Sequence, residues 1–379
     1  CIIARNYLPA LNMIELTFLE IIVIFIWVFV CRMMYRKFYP PRHLLLVYGY
    51  KTPTEFIDKI NARKDKYIIA DRIHVSEGEK ALKEKILQYD GVILCETKAY
   101  IRNELVKYCF EHSIRSYVVP KLSDIIILGA EPIHLFDTPL LLSRNQGLTG
   151  EDMIFKRLMD IIVSLIMIIV FSPFMILIAL AIKIYDRGPV FYKQERLTLN
   201  GRVFKIMKFR SMRMDSEEHG AQLARKHDDR ITPVGRVIRA THLDELPQLF
   251  NILKGDMSVV GPRPERPEIA AQYRETFPEF DYRLKMKAGL TGYAQVYGKY
   301  NTTPRDKVKL DLTYYEQYSL WLDLKLILLT FKILFQKENT EGIDANQTTA
   351  IREDKTKKTG IKHPHDEAED AFYSVEEKK

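Results

Sequence analysis

The chain has 379 residues, a formal net charge of +8 and a globular composition in which 47% of residues are hydrophobic. That length accommodates two or three domains, and the hydrophobic share excludes a wholly disordered protein. The positive charge suits anionic partners such as nucleic acid, an anionic leaflet or phosphorylated substrates. The cysteines Cys1, Cys31, Cys95 and Cys109 form no CxxC pair, which argues against a disulfide framework or a zinc site. A chain that begins at Cys1 reads as part of a longer protein, so a signal peptide cannot be judged from its start.

Residues 16–31, LTFLEIIVIFIWVFVC, are apolar apart from Thr17 and Glu20. Extended back to Tyr7, the run is long enough to cross a bilayer. Arg32, Arg36 and Lys37 follow at once, which places its C-terminal end on the cytoplasmic side. Residues 1–40 are therefore expected to be a transmembrane helix and its flank.

Residues 43–120 alternate between two periodicities. HLLLVYGY, KYIIADRI, GVILCE and RSYVVP read as strands, and TPTEFIDKINAR, EGEKALKEKILQY and AYIRNELVKYCFEH as helices. This βαβ rhythm predicts a Rossmann-like parallel sheet. Its first turn offers only Gly49 where a dinucleotide site needs GxGxxG, so a scaffolding or regulatory role is expected. Residues 121–150 read as an irregular linker with a short helix.

The second apolar stretch, residues 161–182, contains no charge. Ser172-Pro173 lies near its middle, where proline removes a backbone donor. Both flanks are basic, with Lys156 and Arg157 before it and Lys183 and Arg187 after it. A helix that dips into a leaflet and returns has like charge at both ends, whereas a spanning helix is biased. From Ile161 to Ser172 is roughly 18 Å of helix at about 1.5 Å per residue, about half the hydrocarbon core. A re-entrant hairpin over 155–183, broken at Ser172 and Pro173, is the expectation.

Residues 183–300 are polar, basic and rich in Gly-Pro motifs, and 306–337 become helical and apolar again. Residues 339–379, with HPHDEAED and VEEKK, are too polar to build a core and read as a disordered tail.

Chemistry concentrates in THLDELPQLFNILKGDMSVVGPRPERPE, residues 241–268. Leu246, Leu249, Phe250 and Leu253 share one face of a short helix that Gly255 stops. Asp244 and Glu245 then sit at its N-terminus. A structural explanation exists, since Thr241 with Asp244 fits a capping box. It leaves unexplained the surrounding Arg236, Arg239, Arg263 and Arg266, and the preceding Arg202, Lys205, Lys208, Arg210 and Arg213. Arginine forks bind phosphate bidentately. A carboxylate pair among them points to metal-assisted phosphoryl transfer, with Asp244 kept ionised as a nucleophile.

The sequence here resembles the bacterial sugar transferases, or monotopic phosphoglycosyl transferases, from about Phe155 to about Gly342. The resemblance rests on KRLMDIIVSLIMIIVFSPFM, GPVFYKQERLTLNGRVFKIMKFRSM, TPVGRVIRATHLDELPQLFNILKGDMSVVGPRP, KAGLTGYAQVYGK and DLTYYEQYSLWLDLKLILLT, in that order. It implies that Asp244 attacks the sugar-bearing phosphate of a UDP-sugar and displaces UMP, and that Glu245 helps to hold Mg²⁺. A polyprenyl (undecaprenyl) phosphate then takes the phosphosugar. Arg239 and Arg263 occupy positions associated with phosphate binding; Lys208, Arg210 and Pro262 are further candidates from the matching motifs. His242 departs from the small hydroxyl residue that many members carry.

The expected architecture is thus an α/β membrane protein: transmembrane helix 1–40, degenerate Rossmann-like domain 41–142, mainly helical catalytic domain 143–338 and tail 339–379. The resemblance implies an enzyme of the bacterial inner membrane, catalytic on the cytoplasmic face, that starts capsule or exopolysaccharide synthesis with a hexose. A homodimer is compatible with the surfaces read here. Nucleic acid is excluded as partner, because the basic residues cluster with GPRP and DELP and lack aromatic platforms. The competing reading is a non-catalytic membrane scaffold or regulator of polysaccharide assembly, which the intact Asp-Glu pair opposes.

Overall fold

The computed structural model describes residues 10–49, 53–61, 66–143, 148–213, 229–298 and 302–334. The start of the chain and the polar tail read over 339–379 lie outside the described residues. The chain divides into two compact units, residues 1–120 and 121–379.

The first unit opens with α1 (Ala10–Phe38), an exposed apolar helix whose last turn carries Arg36 and Lys37. A parallel sheet follows, built from β1 (Arg42–Tyr48), β2 (Tyr67–His74), β3 (Gly91–Cys95) and β4 (Arg115–Val118). The strand order is β2-β1-β3-β4, with α2 (Thr54–Asn61), α3 (Glu79–Ile86) and α4 (Ala99–Glu111) as connections. Alternate strand residues face opposite sides. Leu45, Val47, Val92 and Leu94 therefore pack with Leu82, Ile86, Leu105 and Cys109. Leu44, Leu46, Ile93 and Cys95 pack on the other side with Phe56, Ile57 and Ile60. Both predicted features, the βαβ rhythm and the parallel sheet, are present. Gly49 has a packing role: a Cβ there would stand 2.4 Å from the Glu96 carbonyl oxygen.

The second unit begins with α5 (Leu122–Leu128) and an antiparallel hairpin, β5 (Glu131–Leu135) with β6 (Thr138–Leu142), where the sequence reads as irregular linker. Next comes α6 (Gly150–Asp186), capped by Thr149, whose hydroxyl accepts from Asp152 N. Arg187 ends it in the left-handed conformation at φ 57°. α6 and the α1 segment Glu15–Phe38 are long and apolar enough to cross a membrane. α6 runs through Ser172-Pro173 as one continuous element, and Ser172 Oγ donates to the Ile169 carbonyl.

The rest of the unit comprises the antiparallel pair β7 (Phe191–Leu197) and β8 (Val203–Phe209), then α7 (Pro233–Ala240) and α8 (Gln248–Lys254). β9 (Ser258–Val260) pairs in parallel with β10 (Gly289–Thr291), and α9 (Pro267–Thr276) lies between them in sequence. α10 (Tyr293–Tyr297), α11 (Pro304–Glu316) and α12 (Leu320–Leu334) close the unit. Both arms of α6 enter one core. Met175, Ile178 and Ile182 are buried in it with Leu249, Ile252 and Met257, and Val163, Met167 and Ile168 pack against it.

Polar groups on the first arm of α6 fix it to the unit. Lys156 Nζ donates to Asp323 Oδ2 at 2.7 Å and to the Tyr314 hydroxyl at 3.0 Å, joining α6 to α12 and α11. Asp160 accepts from Ser258 Oγ and Val259 N on β9. Arg157 donates to the carbonyls of Ile252 and Leu253, satisfying the end of α8. The outer side of α12 stays apolar and exposed at Trp321, Leu324, Leu328 and Phe331, while Asp323 and Leu326 are fully buried.

Asp323→Ala takes from the buried Lys156 its hydrogen-bonded ion-pair partner and leaves it only the field of Asp160. The expected loss of stability is about 3–5 kcal/mol, read as a lower thermal midpoint of the detergent-purified chain. A midpoint equal to that of the wild type would show that water reaches Lys156.

Candidate active site

The acidic pair lies in a 3₁₀ turn, Leu243–Glu245, between α7 and α8, one step earlier than the expected helix N-terminus. His242 enters the turn at φ 55°, so the chain reverses sharply there. The capping box does not form. The Thr241 hydroxyl donates backward to the carbonyls of Val237 and Ile238, at 3.0 and 3.2 Å, and neither the turn nor α8 has a side-chain cap. The buried face of α8 also differs from the predicted one. Leu246, Leu249 and Ile252 are inside, while Phe250 is exposed. The polar reason is Asn251, whose side chain accepts from Met207 N and donates to the Lys205 carbonyl, at 2.9 Å each. Those bonds draw Asn251 inward and staple α8 to β8.

The staple sets Lys208 opposite Glu245. Lys208 Nζ donates to Glu245 Oε1 at 2.6 Å, and Arg263 Nη2 donates to the same oxygen at 3.1 Å. Burial alone would raise the Glu245 pKa, but Lys208 and Arg263 hold it well below the usual carboxylate range. Asp244 differs. It is 9% exposed, and its carboxylate makes no hydrogen bond or ion pair with another described residue. Burial, and then the Glu245 charge, push it up to about 6 against the opposing field of Lys208, Arg239 and Arg263. One acid is thus clamped by two cations, and its neighbour is unclamped and the more basic of the two. Burial lowers the His242 pKa beside them.

Arg263 reaches this point from Gly261-Pro262-Arg263-Pro264. That loop is pressed against the start of β10: Gly261 N donates to Thr291 O, and Gly289 N donates to Pro262 O. A Cβ on Gly289 would lie 2.1 Å from Gly261 N, so only glycine permits the approach. Pro262 is buried and shapes the loop. Arg239 adds to the positive field over Asp244.

Other predicted cations are engaged elsewhere. Arg210 is buried and pairs with Asp186 at the end of α6, so it is withdrawn from the acidic pair. Arg202 pairs with Asp256, and Arg236 is exposed on α7. Sequence reasoning does not single out Asn251, Arg196 or Arg283, because their partners are remote in the chain. Among the described residues no three His, Cys, Asp or Glu side chains gather as a ready-made metal site. The donor set suits Mg²⁺ in another way. Glu245 Oε2 has no protein partner among the described residues and Asp244 is adjacent, and Mg²⁺ usually takes one or two carboxylates and completes its shell with phosphates and water.

A family model described as bacterial sugar transferase matches residues 151–337, from the start of α6 to just past α12. The chain is 43% identical over 209 residues to the UDP-glucose:undecaprenyl-phosphate glucose-1-phosphate transferase of Klebsiella pneumoniae, which covers 54% of this chain and 43% of that protein. It is 44% identical over 182 residues to the UDP-N-acetylgalactosamine-undecaprenyl-phosphate N-acetylgalactosaminephosphotransferase of Aeromonas hydrophila, covering 47% of this chain and 43% of that one. A UDP-glucose:undecaprenyl-phosphate glucose-1-phosphate transferase of Caulobacter vibrioides is 40% identical over 189 residues, 48% of this chain and 71% of the relative. The chain spans less than half the length of the first two.

A carboxyl with a raised folded pKa favours the folded state most below its unfolded value, near 3.8, and that contribution is lost as pH rises through about 6. At pH 8 the Asp244 charge therefore opposes folding. Asp244→Asn is expected to stabilise the protein there by about 1–3 kcal/mol and to change little at pH 4. Thermal melts at the two pH values check this; a destabilised Asn variant at pH 8 would refute the burial argument.

Proposed function

The chain belongs to the bacterial sugar transferase family, and we propose that it moves a sugar 1-phosphate from a UDP-sugar to undecaprenyl phosphate, releasing UMP. The observation that carries this is Asp244, buried and unpaired among the described residues, beside a Glu245 clamped by two cations. An Oδ atom of Asp244 attacks the sugar-bearing phosphorus. A phosphorus–oxygen bond forms there as the bond to the bridging oxygen breaks, and UMP leaves with the electron pair. The phosphosugar stays on Asp244 until an oxygen of the lipid phosphate attacks the same phosphorus and returns the carboxylate. Arg263, Arg239 and Lys208 neutralise charge on the diphosphate. Glu245 would hold Mg²⁺, which would neutralise charge on the phosphate oxygens and so lower the repulsion of an incoming carboxylate. The cargo we propose is a hexose 1-phosphate, and the setting capsule or exopolysaccharide synthesis.

The lipid substrate gives α6 its place in the scheme. A straight helix of 37 residues spans about 55 Å at about 1.5 Å per residue. Both its arms bury side chains in one core, which supports a bend at Ser172-Pro173 and a re-entrant path in one leaflet. The acidic pair then stands near the headgroups, and no phosphate crosses hydrocarbon. Arg32, Arg36 and Lys37 after the first apolar helix support a cytoplasmic site at the inner membrane.

With a panel of UDP-sugars and undecaprenyl phosphate, Asp244→Asn should lower UMP release by at least about 10³-fold and leave no phosphosugar on the protein. A labelled adduct on that variant would sink the nucleophile assignment. Wild-type kcat/KM should fall about tenfold per pH unit below about 6, as Asp244 takes up a proton, and level off above pH 7. Full activity in EDTA would remove Mg²⁺ from the scheme. Cysteines placed at the exposed positions of Ile154 and Ile184 should both label from the cytoplasmic face; labelling from opposite faces would replace the re-entrant path with a full span.

A further inference from the structure

Arg263 reaches Glu245 from a loop, and the precision of that contact has to come from whatever holds the loop. The loop backbone is gripped at three successive carbonyls. Arg283 Nη2 donates to Arg263 O at 2.9 Å, Arg196 Nη1 to Pro264 O at 3.1 Å, and Leu197 N to Glu265 O at 3.0 Å. Arg283 is the most deeply set of these. It lies in the 3₁₀ segment Pro278–Lys285 and is 4% exposed. Its Nε donates to Asp311 Oδ2 on α11 at 3.0 Å, its Nη2 stands 2.9 Å from the same oxygen as an ion pair, and Asp311 is itself buried. Glu265 Oε1 stands 3.6 Å from Arg283 Nη1 and 3.7 Å from Lys307 Nζ.

We propose that Arg283, anchored on Asp311, is a positioning residue that fixes the Arg263 backbone and so holds the Arg263 guanidinium on Glu245, next to Asp244. The proposal rests on the reading of Asp244 and Glu245 as the reacting pair. The plainer alternative is a buried ion pair that only stabilises α11 against the 3₁₀ segment. That account requires no bond from Arg283 to Arg263, yet both hydrogen bonds the guanidinium makes are to Asp311 and to that carbonyl. A buried ion pair on one side, and a loop bearing the arginine that pairs with Glu245 on the other, is the arrangement that transmits position.

A double-mutant cycle on the full chain tests it, with undecaprenyl phosphate and whichever UDP-sugar the wild type turns over. Arg283→Met should lower kcat/KM for UMP release about 10–100-fold in protein that still melts cooperatively. In an Arg263→Ala background the same change should cost less than about 3-fold, because the group it positions is gone. An equal loss in both backgrounds, or no loss in folded Arg283→Met, overturns the proposal. If Arg283→Met does not fold, Asp311→Asn, which keeps the side-chain shape and removes the anchoring charge, carries the same cycle. A crystal structure of the folded variant supplies a readout that needs no turnover: Arg263 should have left Glu245, and an unchanged contact overturns the proposal. A wild-type chain without turnover would instead overturn the reading of Asp244, and the variant's structure would still decide the role of Arg283.

Discussion

Glu245 accepts Lys208 and Arg263 on a single carboxylate oxygen, and three separate stretches of chain meet at that atom. Each stretch is held by a different device. Asn251 ties β8 to α8 and brings Lys208 in. The reversal at His242 presents the acidic turn. The glycine pair Gly261 and Gly289 lets the arginine loop lie flat on β10. If any of these failed, Glu245 would lose a cation in a buried setting and its charge would become costly. The contrast between the two acids follows from the same geometry. All the direct pairing goes to Glu245, and Asp244 feels only the field, so adjacent carboxylates acquire opposite pKa shifts.

Local pattern alone makes part of this legible. The strands of the first unit are short apolar runs between helical periodicities, and two longer apolar runs announce helices long enough to cross a membrane. The acidic pair, Lys208 and Arg263 stand out in the sequence, and they do converge in space. Arg210 groups with them on charge alone, but Asp186 claims it, a partner 24 residues away that no periodicity reveals. The capping box at Thr241 matches a local motif and loses to the end of α7, which takes the hydroxyl first. Arg283 and Asp311 are separated by 28 residues, and Asn251 and its β8 partners by more than 40, so neither network leaves a mark in a sequence window. Spacing rules describe one element at a time; these residues act between elements.

α6 has to satisfy two solvents along one helix. Its middle exposes Ile, Leu, Val and Phe side chains, as a hydrocarbon environment requires. Its first turns direct Lys156, Arg157 and Asp160 toward protein partners, and its end meets Arg210 through Asp186. Arg210 lies two residues beyond Lys208 in sequence. The segment that carries a cation to the acidic pair is therefore the same segment that is fastened to the membrane helix.

The fastening of Lys156 also has a history within each molecule. Its counter-charge, Asp323, is synthesised 167 residues later. At a ribosomal pace of about 5–20 residues per second, the ammonium waits roughly 10–30 s before its partner exists. During that interval the partners of Arg157 and Asp160 on α8 and β9 are made first, and Lys156 is paired last. A chain cut short of α12 would lack the Asp323 that pairs with Lys156, so α12 fastens a helix made long before it.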